Sequence, residues 1–194
     1  MSRDMMHPHS LEVGVFRGAT SIRAAKLLAK LGLRSSYVIS LDSWLFDLRF
    51  VWDARKQESV RPYFSGNAEL AGSSQMYFTF LANVLASNTT SRVIPLPSSS
   101  TNGAMALLAH RLRPDVLYVD ASHANPDVLV DYENLYTLLA PGGAFAADDV
   151  HLPAVRDAWQ ALLRRYNVTD VQYVSEGRQA WFRKPRSGLH GRGK

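Results

Sequence analysis

Side chains able to do polar chemistry gather at five points of this chain, each where an apolar run stops. They are Gly14 to Gly18, Asp42, Ser98 to Ser100, Asp120 to His123, and Asp148-Asp149. Asp120, Asp148 and Asp149 make the strongest demand. If the runs preceding them lie side by side, three carboxylates meet, and each disfavours the charged form of the others. A hard divalent cation is the simplest compensation, and an all-oxygen donor set suits Mg²⁺, Mn²⁺ or Ca²⁺ better than zinc. The competing structural reading is a set of solvated, loop-capping acids. His123, three residues past Asp120, adds an imidazole, the side chain best suited to accept a proton from a hydroxyl near neutral pH. His151 is a weaker candidate for the same pocket.

The segment Glu12-Val13-Gly14-Val15-Phe16-Arg17-Gly18 leaves an apolar run and enters a helical pattern. Glycine lets backbone approach a ligand closely, and a helix N-terminus offers unpaired N–H groups. The spacing G-x-x-x-G is not the G-x-G-x-x-G of pyrophosphate binders, and a tight turn alone would explain two glycines. Asp42 closes the next apolar run; a carboxylate there can accept hydrogen bonds from both hydroxyls of a ribose.

These points need a frame that brings them to one edge, and the chain supplies one. Apolar runs alternate with helical patterns: L-E-V-G-V-F, then A-T-S-I-R-A-A-K-L-L-A-K-L-G; Y-V-I-S-L-D; R-V-I-P-L-P, then T-N-G-A-M-A-L-L-A-H-R-L. D-V-L-Y-V-D, P-D-V-L-V-D-Y-E-N-L-Y-T-L-L-A, A-F-A-A-D-D and P-A-V-R-D-A-W-Q-A-L-L-R-R-Y continue the series. D-V-Q-Y-V-S and Q-A-W-F-R close it as an expected hairpin. This predicts an α/β fold: a Rossmann-like, seven-stranded, mainly parallel sheet with an antiparallel last strand and helices on both faces. Ligands of such sheets bind at the carboxyl ends of the strands, where all five points fall.

Composition sets the limits. The 194 residues are 46% hydrophobic and 20% charged, with no cysteine, a balance that suits one globular domain without disulfides or thiolate metal sites. No apolar run reaches the roughly 20 residues of a membrane span, and a cytoplasmic location is expected. The net charge of +5 is local. From Arg183 onward the tail carries five of the 22 basic residues and no acid, leaving 17 basic against 17 acidic in the body. Nucleic acid is therefore an unlikely partner.

E-V-G-V-F-R-G-A-T-S, V-I-S-L-D-S-W, V-D-A-S-H and L-L-A-P-G-G-A-F-A-A-D-D together resemble class I S-adenosylmethionine-dependent methyltransferases. The similarity runs from about Leu11 to Phe182, and is greatest to the branch of macrolide sugar O-methyltransferases and cephalosporin-hydroxylase-like proteins, with catechol O-methyltransferases more distant. It implies a methionine pocket shaped by Glu12, Gly14 and Gly18, with Val15, Arg17 and Ser21 among the cofactor-binding residues. It also implies a ribose held at Asp42 and Ser43, adenine beside Ser98 or Ser99, and Asp120 serving both cofactor and metal. Asp120, Asp148 and Asp149 would hold Mg²⁺ and His123 would act as base. Catechol methyltransferases have an amide as last ligand; Asp149 would make this site more negative.

The expected activity is metal-dependent O-methylation of a small-molecule hydroxyl, sugar-, polyketide- or catechol-like. The alternatives are a non-catalytic S-adenosylmethionine-binding protein, a nucleic-acid-directed methyltransferase using the basic tail, and a nicotinamide dehydrogenase. Residues 1–185 are expected to form the domain, with 43–90 as a substrate-side insertion and 186–194 as a disordered tail. Trp44 to Phe64, rich in aromatic and basic residues, is a candidate substrate lid. Only about ten residues precede the first apolar run, where the relatives carry helices over the substrate. Either the acceptor is handled differently or a second subunit of a homo-oligomer closes the site.

Overall fold

The computed structural model describes residues 9–45 and 75–186. Within these residues seven strands form one sheet: β1 (Ser10–Val13), β2 (Val38–Asp42), β3 (Val93–Pro97), β4 (Val116–Val119), β5 (Ala144–Ala147), β6 (Val171–Val174) and β7 (Gln179–Arg183). Five helices accompany them: α1 (Ala19–Lys30), α2 (Gln75–Ala86), α3 (Ser100–Ala109), α4 (Asp127–Leu138) and α5 (Pro153–Arg165). The strand order is β3-β2-β1-β4-β5-β7-β6. β1 to β5 run parallel; β7 is antiparallel to β5 and to β6. The expected architecture is the observed one. The proposed lid from residue 46 onward and the tail beyond residue 186 lie outside the described residues.

The two faces follow from the period-two alternation of the strands. Leu11, Val13, Ile39 and Leu41 join one core with Leu117, Val119, Phe145 and the apolar stripes of α3, α4 and α5. On α5 that stripe is Val155, Ala158, Trp159 and Leu162, the i, i+3, i+4, i+7 spacing of a helix docked on a sheet. Val38 faces the other way and packs with Ala25 of α1 and Met76, Phe80 and Val84 of α2. Phe145, Phe182 and Trp159 pack ring against ring, with Phe145 and Phe182 stacked at 5.5 Å. That cluster fixes β7 in register beside β5, where aromatic pairs add about 0.5–1.5 kcal/mol each beyond their burial.

β3 is the sheet's edge beyond β2. Its ladder runs Ser40↔Pro95 and Asp42↔Pro97, and the Ser98 N–H donates inward to the Asp42 carbonyl at 3.0 Å. Successive N–H groups of a strand alternate sides. Pro95 and Pro97 therefore occupy the outward-facing positions, where the missing N–H costs the ladder nothing.

Two turns at the carboxyl end set up the site. Gly14 stops β1 with φ +84°, and a Cβ there would overlap the backbone carbonyl of Asp120 and lie 2.7 Å from Ala121 Cα. The loops after β1 and β4 thus touch backbone to backbone, which only glycine permits. Asp149, after β5, also has positive φ (53°), as do Phe16 and Trp44. Asp tolerates this region better than most residues; for bulky side chains it is uncommon. Such strain gathers where surrounding contacts over-determine the chain.

Candidate active site

The strand ends and the loops after them line one cavity of about 910 Å³. Gly14 and Phe16 stand in the middle, with Asp42, Ser43 and Trp44 and then Ser98 to Thr101 on the β2 and β3 side, and Asp120 to His123 on the β4 side. α4 contributes Asp127, Val130 and Asp131, and Leu152 completes the rim. Of the expected cofactor residues, Gly14, Asp42, Ser43, Ser98, Ser99 and Asp120 line this space; Glu12, Val15, Arg17, Gly18 and Ser21 do not.

The reasons are local. Asp42 Oδ2 accepts the backbone N–H groups of Val15 and Phe16 at 2.7 and 2.9 Å, and Oδ1 accepts that of Trp44 at 2.7 Å. The carboxylate fastens the glycine turn to its own loop, and Val15 reaches the site only through this backbone bond, its side chain lying in the core beside α1 and α2. Trp44 locks the same turn from the other side. Its Nε1–H donates to the Phe16 carbonyl at 2.9 Å, and its ring packs 4.8 Å from both Tyr77 and Phe80. Trp44, the expected start of a lid, is thus a buried wall of the cofactor loop. Gly18 caps α1 at φ +84° against the Phe80 ring, and the Arg17 carbonyl accepts Asn83 Nδ2–H at 2.9 Å. Ser43 Oγ turns back on Leu45, and Ser99 caps α3 by accepting the Asn102 N–H at 3.2 Å.

Glu12 pairs with Ser40 across β1 and β2 and so faces α1. It is 5% exposed, accepts the Ser21 hydroxyl, and Ser21 Oγ lies 2.6 Å from Ser40 Oγ. Burial pushes its carboxyl up to about 7, the Ser21 hydrogen bond pulls down, and the charges of Asp120 and Asp42 push further up. Because the folded value exceeds the unfolded one, the native state holds the proton more tightly. That stability is complete below about pH 4.5 and is lost as pH rises toward 7. Glu12→Gln, which stays neutral, should therefore gain on the wild type by as much as about 3 kcal/mol between pH 4.5 and 8. Urea denaturation of both proteins at the two pH values measures it.

At the other end, Asp120, His123 and Asp149 each offer a ligand atom within 4.8 Å of the others. His123 Nε2 lies 3.0 Å from Asp149 Oδ2 and 3.8 Å from Asp120 Oδ1; His151 Nδ1 touches the outer oxygen of Asp149 at 3.7 Å. Burial, and then the charges of Asp148 and Asp149, raise Asp120 to about 6 despite the nearby His123. Two carboxylates and an imidazole, with negative charge left in excess, form a donor set that fits a divalent cation.

Asp148 takes a different place from the one the sequence suggests. Its Oδ2 accepts Tyr118 Oη–H at 2.5 Å and Gln179 Nε2–H at 3.1 Å, and its Oδ1 accepts the Asp149 N–H at 2.8 Å. Burial works against the charge, but these hydrogen bonds and the Arg178 charge outweigh it and hold the carboxyl below its ordinary range. His123 stands where Asp148 was expected in the ligand group.

Asp131 is the buried acid among the lining residues that sequence reasoning missed. It sits on the buried stripe of α4 with Val128, Tyr132 and Leu135, and an acid at such a position was the available signal.

The profile of a family described as methyltransferase domain matches residues 11–150. The chain belongs to that family. No curated protein matches the sequence, but many solved structures share its fold. This methyltransferase is 17% identical to the O-methyltransferase NovP, with a TM-score of 0.66 over 92% of this chain and 72% of NovP. CalS11, a TDP-rhamnose 3'-O-methyltransferase of calicheamicin biosynthesis, gives 15% and 0.62 over 92% and 72% of the two chains. An O-methyltransferase from Bacillus cereus, solved with S-adenosylhomocysteine (SAH), gives 14% and 0.56 over 89% and 71%. No helix among the described residues of the methyltransferase is long and apolar enough to cross a membrane.

Proposed function

We propose that this methyltransferase transfers the methyl group of S-adenosylmethionine to a hydroxyl of a small molecule, with a divalent cation held by Asp120 and Asp149. The observation that carries the reading is that Asp120, His123 and Asp149 come together beside the Gly14 turn, with Asp120 and His123 lining the same cavity as Gly14 and Asp42. A cavity of about 910 Å³ lies within the roughly 300–1,000 Å³ of small-molecule sites. Gly14, Asp42, Ser43, Ser98 and Ser99 would hold the cofactor, which supplies an electrophilic methyl group. The cation would lower the pKa of the acceptor hydroxyl.

The remaining work falls to the chain. Asp120 and Asp149, committed to the cation, leave the His123 imidazole free to take the hydroxyl proton. The backbone contact of Gly14 with Asp120 fixes the two half-sites relative to each other, and such fixed alignment is where much of the acceleration in a two-substrate transfer originates. Mg²⁺ suits the two carboxylates, and Mn²⁺ would suit the same pair if His123 also bound. The sugar substrate of CalS11 puts sugar hydroxyls first among acceptors, followed by polyketides and catechols.

The test is methyl transfer to a panel of such acceptors. Turnover should vanish in excess chelator and return with Mg²⁺ or Mn²⁺. Full activity in chelator would remove the metal from the mechanism. Calorimetry showing tight NAD binding and no heat with S-adenosylmethionine would remove the cofactor assignment altogether.

A further inference from the structure

The body of the chain balances its charges as a whole but not locally. Residues 13–41 hold Arg17, Arg23, Lys26, Lys30 and Arg34 and no acid. α1 carries three of these, and Arg34 follows just past its end. The buried Ser21 and Ala25 mark the side of α1 that meets the sheet. At about 100° per residue, Arg23, Lys26, Leu27, Lys30 and Leu31 fall on the opposite side, within an arc of about 140°. All five are exposed, Leu27 by 54% and Leu31 by 62%. No ion pair among the described residues engages Arg23, Lys26, Lys30 or Arg34. α2 lies on the same side of the sheet, with Met76, Phe80 and Val84 turned inward. Its outward side shows Phe78 and Leu85, 60% and 71% exposed, and the helix has no charged residue.

We infer that the outward side of α1 and α2 is a docking surface for an anionic lipid bilayer, to which the protein attaches peripherally. The two kinds of side chain on it make the choice. Lysine and arginine are drawn to the negative potential of a leaflet that holds anionic lipid, each contributing about fivefold to partitioning. Leucine and phenylalanine standing proud of a helix gain by entering the boundary between headgroups and acyl chains. The phosphate backbone of a nucleic acid also attracts the cations, but offers protruding leucines nothing to enter. The cationic side chains can lay their stems along the same surface and keep their heads among the lipid phosphates. Docking in this way leaves the cavity free. α1 starts just after Gly18, beside the site, and its cations begin in the second turn, so the contact lies on a flank of the sheet rather than at the strands' carboxyl ends. The inference needs neither the cofactor nor the cation of the proposed reaction.

The experiment pellets the full chain with vesicles at about 0.1 M salt, comparing phosphatidylcholine alone with phosphatidylcholine plus phosphatidylserine. The wild type should bind the mixed vesicles about tenfold or more above the neutral ones. Lys26→Gln with Lys30→Gln should cut that binding about 25-fold, at about fivefold per cation. Leu27→Ser with Leu31→Ser should cut it about tenfold while keeping the preference for anionic vesicles. All four positions are exposed, so thermal melts should match the wild type; Leu27→Ala with Leu31→Ala covers a serine variant that fails to fold. Short duplex DNA, offered in place of vesicles, tests the competing polyanion. Loss in the glutamine variant alone overturns the bilayer, and DNA bound as tightly as lipid then marks the face as a nucleic-acid site. Wild-type binding that is absent, or equal for the two kinds of vesicle, overturns the proposal. So does undiminished binding by both variants, which would assign the attraction to the basic residues from Arg183 onward.

Discussion

Gly14→Val is expected to lower the melting temperature by roughly 5–20 °C and to abolish binding of S-adenosylmethionine. Two costs combine. The φ of +84° is a region that side-chain-bearing residues enter at about 1–3 kcal/mol, and more for a β-branched one. The new Cβ also overlaps the Asp120 carbonyl and crowds Ala121 Cα at 2.7 Å, and overpacking against backbone costs roughly 1–3 kcal/mol more. For a chain of this size each kcal/mol is about 2–4 °C. Gly32→Val is the control. Gly32 has a similar φ of +73°, but nothing lies within 4 Å of its added Cβ, so only the first cost applies. Equal melting temperatures for the two variants would show that the loops after β1 and β4 do not press together.

Asp120→Asn is expected to lower kcat by about a thousandfold, roughly 4 kcal/mol of transition-state stabilisation, while the protein melts no lower than the wild type. The opposed directions are the point. Burial first, and then Asp148 and Asp149, raise the Asp120 carboxyl to about 6 in the folded chain. The stability tied to its proton is complete below the ordinary carboxylate range and is lost as pH rises toward 6. At pH 7.5 the wild type therefore carries an ionised carboxylate that folding disfavours, and the neutral amide relieves it. The same charge would hold the cation, so the substitution gains stability and loses turnover. Thermal melts and initial rates with saturating Mg²⁺ check both halves. A variant less stable than the wild type and fully active would reverse the reading of this residue.

The strand ends were legible because the apolar runs are short and four of the five at the site stop at a glycine or an acid, the third stopping at Ser98. V-L-Y-V before Asp120 and A-F-A-A before Asp148 are strands β4 and β5, and a parallel sheet brings their ends together. Which of the two carboxylates joins Asp120 and His123 was not legible. Asp148 and Asp149 are adjacent, and adjacent side chains diverge; Asp149 diverges further through its positive φ. Asp148 is drawn off by Tyr118 and Gln179, some thirty residues away on either side, and no local pattern announces such partners. Glu12 was expected as a cofactor residue through the family resemblance alone. Its pairing with Ser40 on the α1 side of the sheet buries it, and that depends on strand register, which only the folded sheet reveals.

The prolines of β3 bear on how copies of this protein meet. An open strand edge is a template on which another chain can crystallise into a longer sheet, and two adjacent vacancies in the outward row of donors deny it that purchase. Pro95 and Pro97 leave those vacancies on one lateral margin. Self-association through a continuous sheet is thereby closed off at this margin, so copies meeting at the β3 side would have to pack through helices or loops. Crowded or freshly synthesised copies can touch along β3 without templating one another into fibrils.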